Sequence, residues 1–184
     1  MKDTSSSQTR ILAEIVVFAA LSTALYAIRP YSLPYGGAVT LGSMVPVMWL
    51  SLRRGVRVGF TAGAIFGILA LPIDIILLPY SPIANPIQAF MEYPLAFGVL
   101  GLTGMFHRKG TAFVMAGVAV SVFIKFLLHV LAGYIFWPAI YGFPPEWGLL
   151  WPIIYNGSFL TVEFIISAIL IYILVKKGTL DYAL

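Results

Sequence analysis

Four ionisable residues interrupt otherwise apolar stretches of this sequence: Glu92, Lys125, His129 and Glu163. An ionised side chain costs roughly 2.5 to 3.5 kcal/mol at the centre of a membrane helix on insertion scales, so each of the four needs a partner or a task. Lys125, His129, Gly133 and Trp137 recur at four-residue intervals and would share one gently drifting stripe of a helix. Gly133 would let a flat ligand approach the backbone, with His129 and Trp137 offering planar faces above and below it. An indole face beside a carboxylate suits an aromatic organic cation, through cation–π attraction and charge pairing. Structural readings compete with this one. A lone histidine in a span is often an interhelical hydrogen-bond partner, and tryptophans near an interface often form only a belt, which is the expectation for Trp49 and Trp147. Lys125 and Glu163 match in depth as an ion pair locking two helices; alternatively Lys125 forms the floor of a pocket and pairs with Glu92.

The elements that must position these residues follow from composition. Hydrophobic residues make up 60% of the 184 positions and charged ones 10%, with a mean hydropathy of +0.96, which excludes an ordinary soluble domain. Runs of Ala, Leu, Ile and Gly without alternating polar residues select helices over a membrane barrel. The absence of cysteine excludes disulfides and thiolate metal sites, and two histidines without matching carboxylates give no metal-ligand pattern. Measured against about 20 residues per crossing, the apolar runs predict six helices near 11–28, 39–53, 56–72, 84–106, 111–137 and 152–175, all within one transmembrane domain, 1–184. The second run is short and is expected to be irregular or partly re-entrant. Residues 11–28 read as a retained span, not a cleaved leader.

Charge sets the orientation. Lys2, Arg10, Arg53, Arg54, Arg57, Arg108, Lys109, Lys176 and Lys177 fall on the ends or on the two short connections, whereas the three long loops hold only Arg29. Both termini are therefore expected in the cytoplasm, and the long Pro- and aromatic-rich loops on the outer face of a cell membrane. The net charge of +4 is a topological signal, not a nucleic-acid footprint. With that orientation Glu92 and His129 each lie about eight residues, or about 12 Å, below the outer ends of their helices, and Asn156 lies somewhat higher. Polar groups from three helices converge in a pocket that opens outward.

Four stretches then carry a resemblance, in order along nearly the whole chain: Leu50-Ser51-Leu52-Arg53-Arg54-Gly55 followed by Gly59 and Gly63; Gln88-Ala89-Phe90-Met91-Glu92-Tyr93; Lys125-Phe126-Leu127-Leu128-His129 with Ala132-Gly133-Tyr134-Ile135-Phe136-Trp137; and Tyr155-Asn156-Gly157. The sequence resembles the thiamine-specific substrate-binding S components of energy-coupling factor (ECF) vitamin transporters. The resemblance implies a six-helix all-α membrane bundle that binds thiamine as ligand, without a cofactor or catalytic residue. It implies as partners a transmembrane coupling subunit and two ATP-binding-cassette ATPase subunits. Carried over residue by residue, the family's pocket falls on Glu92, Tyr93, His129, Gly133, Trp137 and Asn156. Three positions depart from the pattern. Tyr35 is the aromatic residue left where the family has a tryptophan in the first outer loop, Trp151 stands where it has a tyrosine, and Tyr80 takes the place of a loop tyrosine at a shifted register.

Other functions fit parts of the same pattern. An S component for a thiamine precursor, biotin or riboflavin would share the fold, and an intramembrane enzyme would use Glu92 and His129 as acid and base. The sequence lacks a nucleophile motif, a phosphate-cradling loop and an inverted repeat, which weighs against the enzyme and against a self-contained proton-coupled carrier.

Overall fold

The computed structural model describes residues 4–78, 83, 85–106, 109–142 and 144–180. The molecule is an all-α membrane bundle, the architecture in which every backbone polar group finds its partner within a helix. Its helices are α1 (Thr4–Ala27), α2 (Val45–Arg54), α3 (Val56–Leu77), α4 (Pro86–Phe106), α5 (Thr111–Tyr141) and α6 (Leu150–Lys176). All but α2 are long and apolar enough to cross a membrane. Between α1 and α2 the chain forms a small antiparallel hairpin, β1 (Tyr31–Ser32) with β2 (Ala38–Val39), in which Tyr31 pairs with Val39 and Ser32 with Ala38.

α2 begins later than the apolar run suggests. Gly42 adopts a left-handed φ of 76°, and Pro46 occupies the first turn, where its missing N–H is harmless. At 1.5 Å per residue its ten residues cover about 15 Å, half of a hydrocarbon core about 30 Å thick. Every side chain from Val45 to Leu52 is buried, so α2 is packed by protein and does not face lipid along its length. It stops at Gly55, whose φ of 89° turns the chain into α3. At this corner Arg54 holds Glu14 of α1 through two hydrogen bonds of 2.6 Å each.

α3 runs past Pro72, where the sequence suggests a stop, as far as Leu77. Proline inside a membrane helix is tolerated when neighbours and local adjustments satisfy the freed carbonyl. The extension carries Asp74 into the bundle, where it is buried.

In a stripe of glycines on α3, Gly63 and Gly67 let the helix lie directly on the backbone of α4, and Gly59 makes room for Ser51 of α2. A Cβ at Gly63 would meet the Phe97 carbonyl and come within 3.0 Å of Gly98 Cα, and one at Gly67 would meet the Tyr93 carbonyl. From the other side, a Cβ on Gly101 would strike the backbone of Gly59 and Phe60. Small residues at such crossings gain packing that lipid cannot supply. Ser51 of α2 joins the same contact, donating to the Gly101 carbonyl and accepting from the Gly104 N–H at 3.0 Å. Gly63→Leu is expected to wedge α3 from α4 and lower stability by about 3 kcal/mol or more. A melting temperature in detergent equal to that of the unmodified protein would disprove the backbone-to-backbone contact.

Candidate functional site

α4 is built from several kinds of turn. It starts as an α-helical turn, Pro86–Phe90, capped by Asn85, whose side chain accepts from the Gln88 N–H at 3.0 Å. It widens to a π-helical segment, Met91–Leu95, around Pro94, then passes through Ala96–Gly98 into a 3-10 segment, Val99–Phe106. The π segment carries Glu92 and Tyr93, and both are buried and line one cavity. Glu92 is held from two sides: Gln88 Nε2 donates to Oε2 at 2.6 Å, and Trp137 Nε1 of α5 donates to Oε1 at 3.2 Å.

α5 brings Lys125, His129 and Trp137 to the same cavity, three of the four members of its stripe. The fourth, Gly133, is not among the lining residues. A Cβ there would come within 2.9 Å of Pro152 Cβ and 3.3 Å of the Trp137 indole, so its small size seats α6 against α5. Lys125 is 4% exposed, and among the described residues its ammonium has no hydrogen-bond partner. It sits 3.2 Å from the centroid of the Phe97 ring. Neither ion pair considered for it is formed. Glu163 instead accepts from the Thr40 N–H and lies 2.9 Å from Thr40 Oγ1.

α6 and the first loop complete the wall. Asn156 lines the cavity and donates its amide nitrogen to the Pro152 carbonyl at 2.9 Å. Tyr35 also lines it, in a left-handed conformation with φ of 69° that a bulky side chain seldom adopts. Its ring packs against Tyr155 with centroids 6.3 Å apart. The Tyr155 hydroxyl donates to the Pro34 carbonyl and accepts from the Gly37 N–H at 2.8 Å, and the ring meets Trp137 edge-on at 5.1 Å. Trp151 lies outside the lining, tilted against Tyr155 at 5.9 Å and against Trp147 at 4.9 Å. Tyr80 lies outside the described residues.

A family model described as thiamine transporter protein (Thia_YuaJ) matches residues 12–181. The chain belongs to that family. It is similar to the protein named thiamine transporter ThiT from Lacticaseibacillus paracasei, with 27% identity over 183 residues covering 91% of this chain and 87% of the relative. A second relative of the same name, from Bacillus subtilis, is 27% identical over 185 residues, 92% of each chain. This is a family of multi-pass membrane transport proteins, so the chain is a transport protein and not an enzyme, and the acid–base reading of Glu92 and His129 falls away.

Two features of this transporter escape a reading of its sequence. Tyr155 occupies the wall where the sequence suggests Trp151, although residues 151, 155 and 159 share one α6 stripe, a spacing that offers Tyr155 as readily as its neighbour. Pro72 reads as a helix stop, which would leave Asp74 in a loop. In the fold Asp74 forms an ion pair with Arg29, both side chains being 6% exposed, and accepts from the Tyr26 hydroxyl at 3.0 Å and the Tyr93 hydroxyl at 2.8 Å. Arg29, at the start of the first loop, therefore turns its side chain into the bundle.

The free ammonium of Lys125 changes what its removal should do. Losing one member of a buried ion pair costs about 3 to 5 kcal/mol. Losing a charge held only by an aromatic face removes a contact of about 2 kcal/mol and, with it, a desolvation cost of several kcal/mol. Lys125→Met should accordingly leave stability unchanged or raise it, while Glu163→Leu destabilises by freeing Thr40. Thermal melts of both single variants and the double variant check this: a loss of about 3 to 5 kcal/mol in Lys125→Met that is largely relieved in the double variant would restore the ion pair.

Proposed function

We propose that this chain is the thiamine-binding S component of an ECF-type vitamin importer, taking thiamine from outside into the cavity between α4, α5 and α6. The observation that carries the reading is the Glu92 carboxylate, fixed by Gln88 and Trp137 in a wall that also holds Tyr93, Tyr155 and His129. Thiamine offers a cationic thiazolium, an aminopyrimidine and a hydroxyethyl tail. Glu92 offsets the cation at short range, and the indole and imidazole supply flat faces. With its nitrogen committed to Pro152, Asn156 keeps Oδ1 as an acceptor for the pyrimidine amine.

The charge balance fits the same ligand. Among the described residues, three carboxylates line the cavity, Asp74, Glu92 and Glu163, and of these Asp74 alone is paired to a cation, Arg29. A cationic ligand beside Glu92 supplies the kind of countercharge that Asp74 already has in Arg29, whereas a phosphate ester would bring further negative charge. Unphosphorylated thiamine is therefore the preferred form.

The sequence carries no nucleotide-binding motif, so uphill uptake depends on partners: a transmembrane coupling subunit and two ATPase subunits. The basic residues at the ends and short connections orient both termini and the corner at Gly55 toward the cytoplasm, where those ATPases act.

Thiamine should quench the tryptophan fluorescence of the purified protein, and Trp137→Phe should abolish most of that signal while Trp151→Phe leaves it largely intact. Quenching by riboflavin or biotin but not by thiamine would assign a different vitamin. Glu92→Gln should weaken thiamine binding by about 2 to 5 kcal/mol, the range for truncating one partner of a buried charge pair. Calorimetry showing an unchanged affinity would place the ligand away from this carboxylate.

A further inference from the structure

The cluster around Asp74 borders the proposed ligand cavity, yet none of the ligand contacts above uses it. Asp74 lines the cavity together with Glu92, Glu163 and Lys125, whereas Arg29 does not. Arg29 approaches the Asp74 carboxylate with Nη2, donates Nε to the Tyr26 carbonyl at 3.1 Å, and stacks its guanidinium 4.3 Å from the centre of the Tyr26 ring. The anion thus faces the cavity and its countercharge stands behind it. From inside the cavity the pair acts as a dipole, not as a second full negative charge beside Glu92. Tyr93, adjacent to Glu92 in the chain, donates its hydroxyl to Asp74 and ties this pair to the cavity wall.

We propose that Arg29 sets the charge selectivity of the cavity by neutralising Asp74 from behind, so that the field facing the ligand suits a single positive charge. The proposal rests on the assignment of thiamine to this cavity. Without Arg29, Asp74 adds a second anionic centre and the cavity favours cations more strongly. Without Asp74, an unanswered guanidinium lies behind the wall and opposes any cation. Arg29 lies outside the lining, and Asp74, although it lines the cavity and accepts from Tyr93, meets no part of thiamine in the proposed binding mode.

The test compares thiamine with deazathiamine, a neutral analogue whose thiophene ring replaces the thiazolium, on the purified full chain. Arg29→Gln and Asp74→Asn each keep a hydrogen-bonding amide where the charge was. Purification in thiamine followed by exchange keeps the variants folded through ligand binding. Arg29→Gln should raise the ratio of thiamine affinity to deazathiamine affinity about tenfold, and Asp74→Asn should lower it about tenfold, the order expected for one unit charge across a small cavity. The double variant should return the ratio to that of the unmodified protein. Either single variant is decisive alone, because its ratio must move in its own direction. A purely structural role would weaken both ligands together and leave the ratio unchanged, which overturns the proposal. An unmodified protein that binds neither ligand would instead refute the thiamine assignment itself.

Discussion

Pro94 cannot continue an α-helix without leaving a carbonyl unpaired, and the way α4 resolves this governs the cavity. Proline lacks the N–H that the preceding turn needs, and its ring presses on the carbonyl four residues back. The helix answers by widening over Met91–Leu95, so that the Ala96 N–H reaches back five residues to the Met91 carbonyl. That widened segment carries Glu92 and Tyr93. In the widened turn both are buried and both line the cavity. Glu92 then meets Trp137 and Tyr93 meets Asp74, so α4 reaches α5 through one residue and α3 through the next.

That arrangement holds only because α3 lies close enough for Asp74 to meet Tyr93. Gly63 and Gly67 bring the two backbones into direct contact, and the position of Asp74 follows from it. Polar groups in the cavity are compensated by specific partners: Asp74 by Arg29 and two tyrosines, Glu92 by Gln88 and Trp137, Glu163 by Thr40. Lys125 stands apart, with an aromatic face as its contact. A buried carboxylate with two donors is held in place without a ligand, so the proposed binding mode does not require Glu92 to be ordered on binding.

Apolar runs and the placement of arginine and lysine make the all-α membrane bundle legible, because lipid imposes one length and one backbone solution on every crossing. The stripe on α5 is legible for a similar reason: a four-residue spacing fixes a face. Depth alone is a poorer guide. Lys125 and Glu163 match in depth, but depth is one coordinate and the direction around the helix is another. The chain between α1 and α2 descends far enough for Thr40 to take Glu163, which no periodicity announces. Gly133 reads as room for a ligand and the structure gives that room to Pro152, since a missing side chain does not say which neighbour fills the space. Asp74 is hidden from the sequence because a proline that would end a helix in water need not end one in a bundle.

The first loop shows how irregular chain is stabilised at such a site. A hairpin with two residue pairs cannot hold itself together, and Tyr35 sits in a conformation that disfavours its side chain. Stability comes from tethers to the helices instead. Arg29 binds Asp74 of α3 at the start of the loop, the Tyr155 hydroxyl of α6 takes the Pro34 carbonyl and the Gly37 N–H at its middle, and Glu163 of α6 takes Thr40 near its end. The residues that supply these tethers from the helices, Asp74, Tyr155 and Glu163, are themselves cavity-lining. Gly37 is required at the central tether, because a Cβ there would lie 2.8 Å from the Phe159 ring and 2.9 Å from the Tyr155 hydroxyl. The loop and the cavity wall are thus one hydrogen-bonded unit, and the strain at Tyr35 persists because the flanking tethers over-determine the backbone on either side of it.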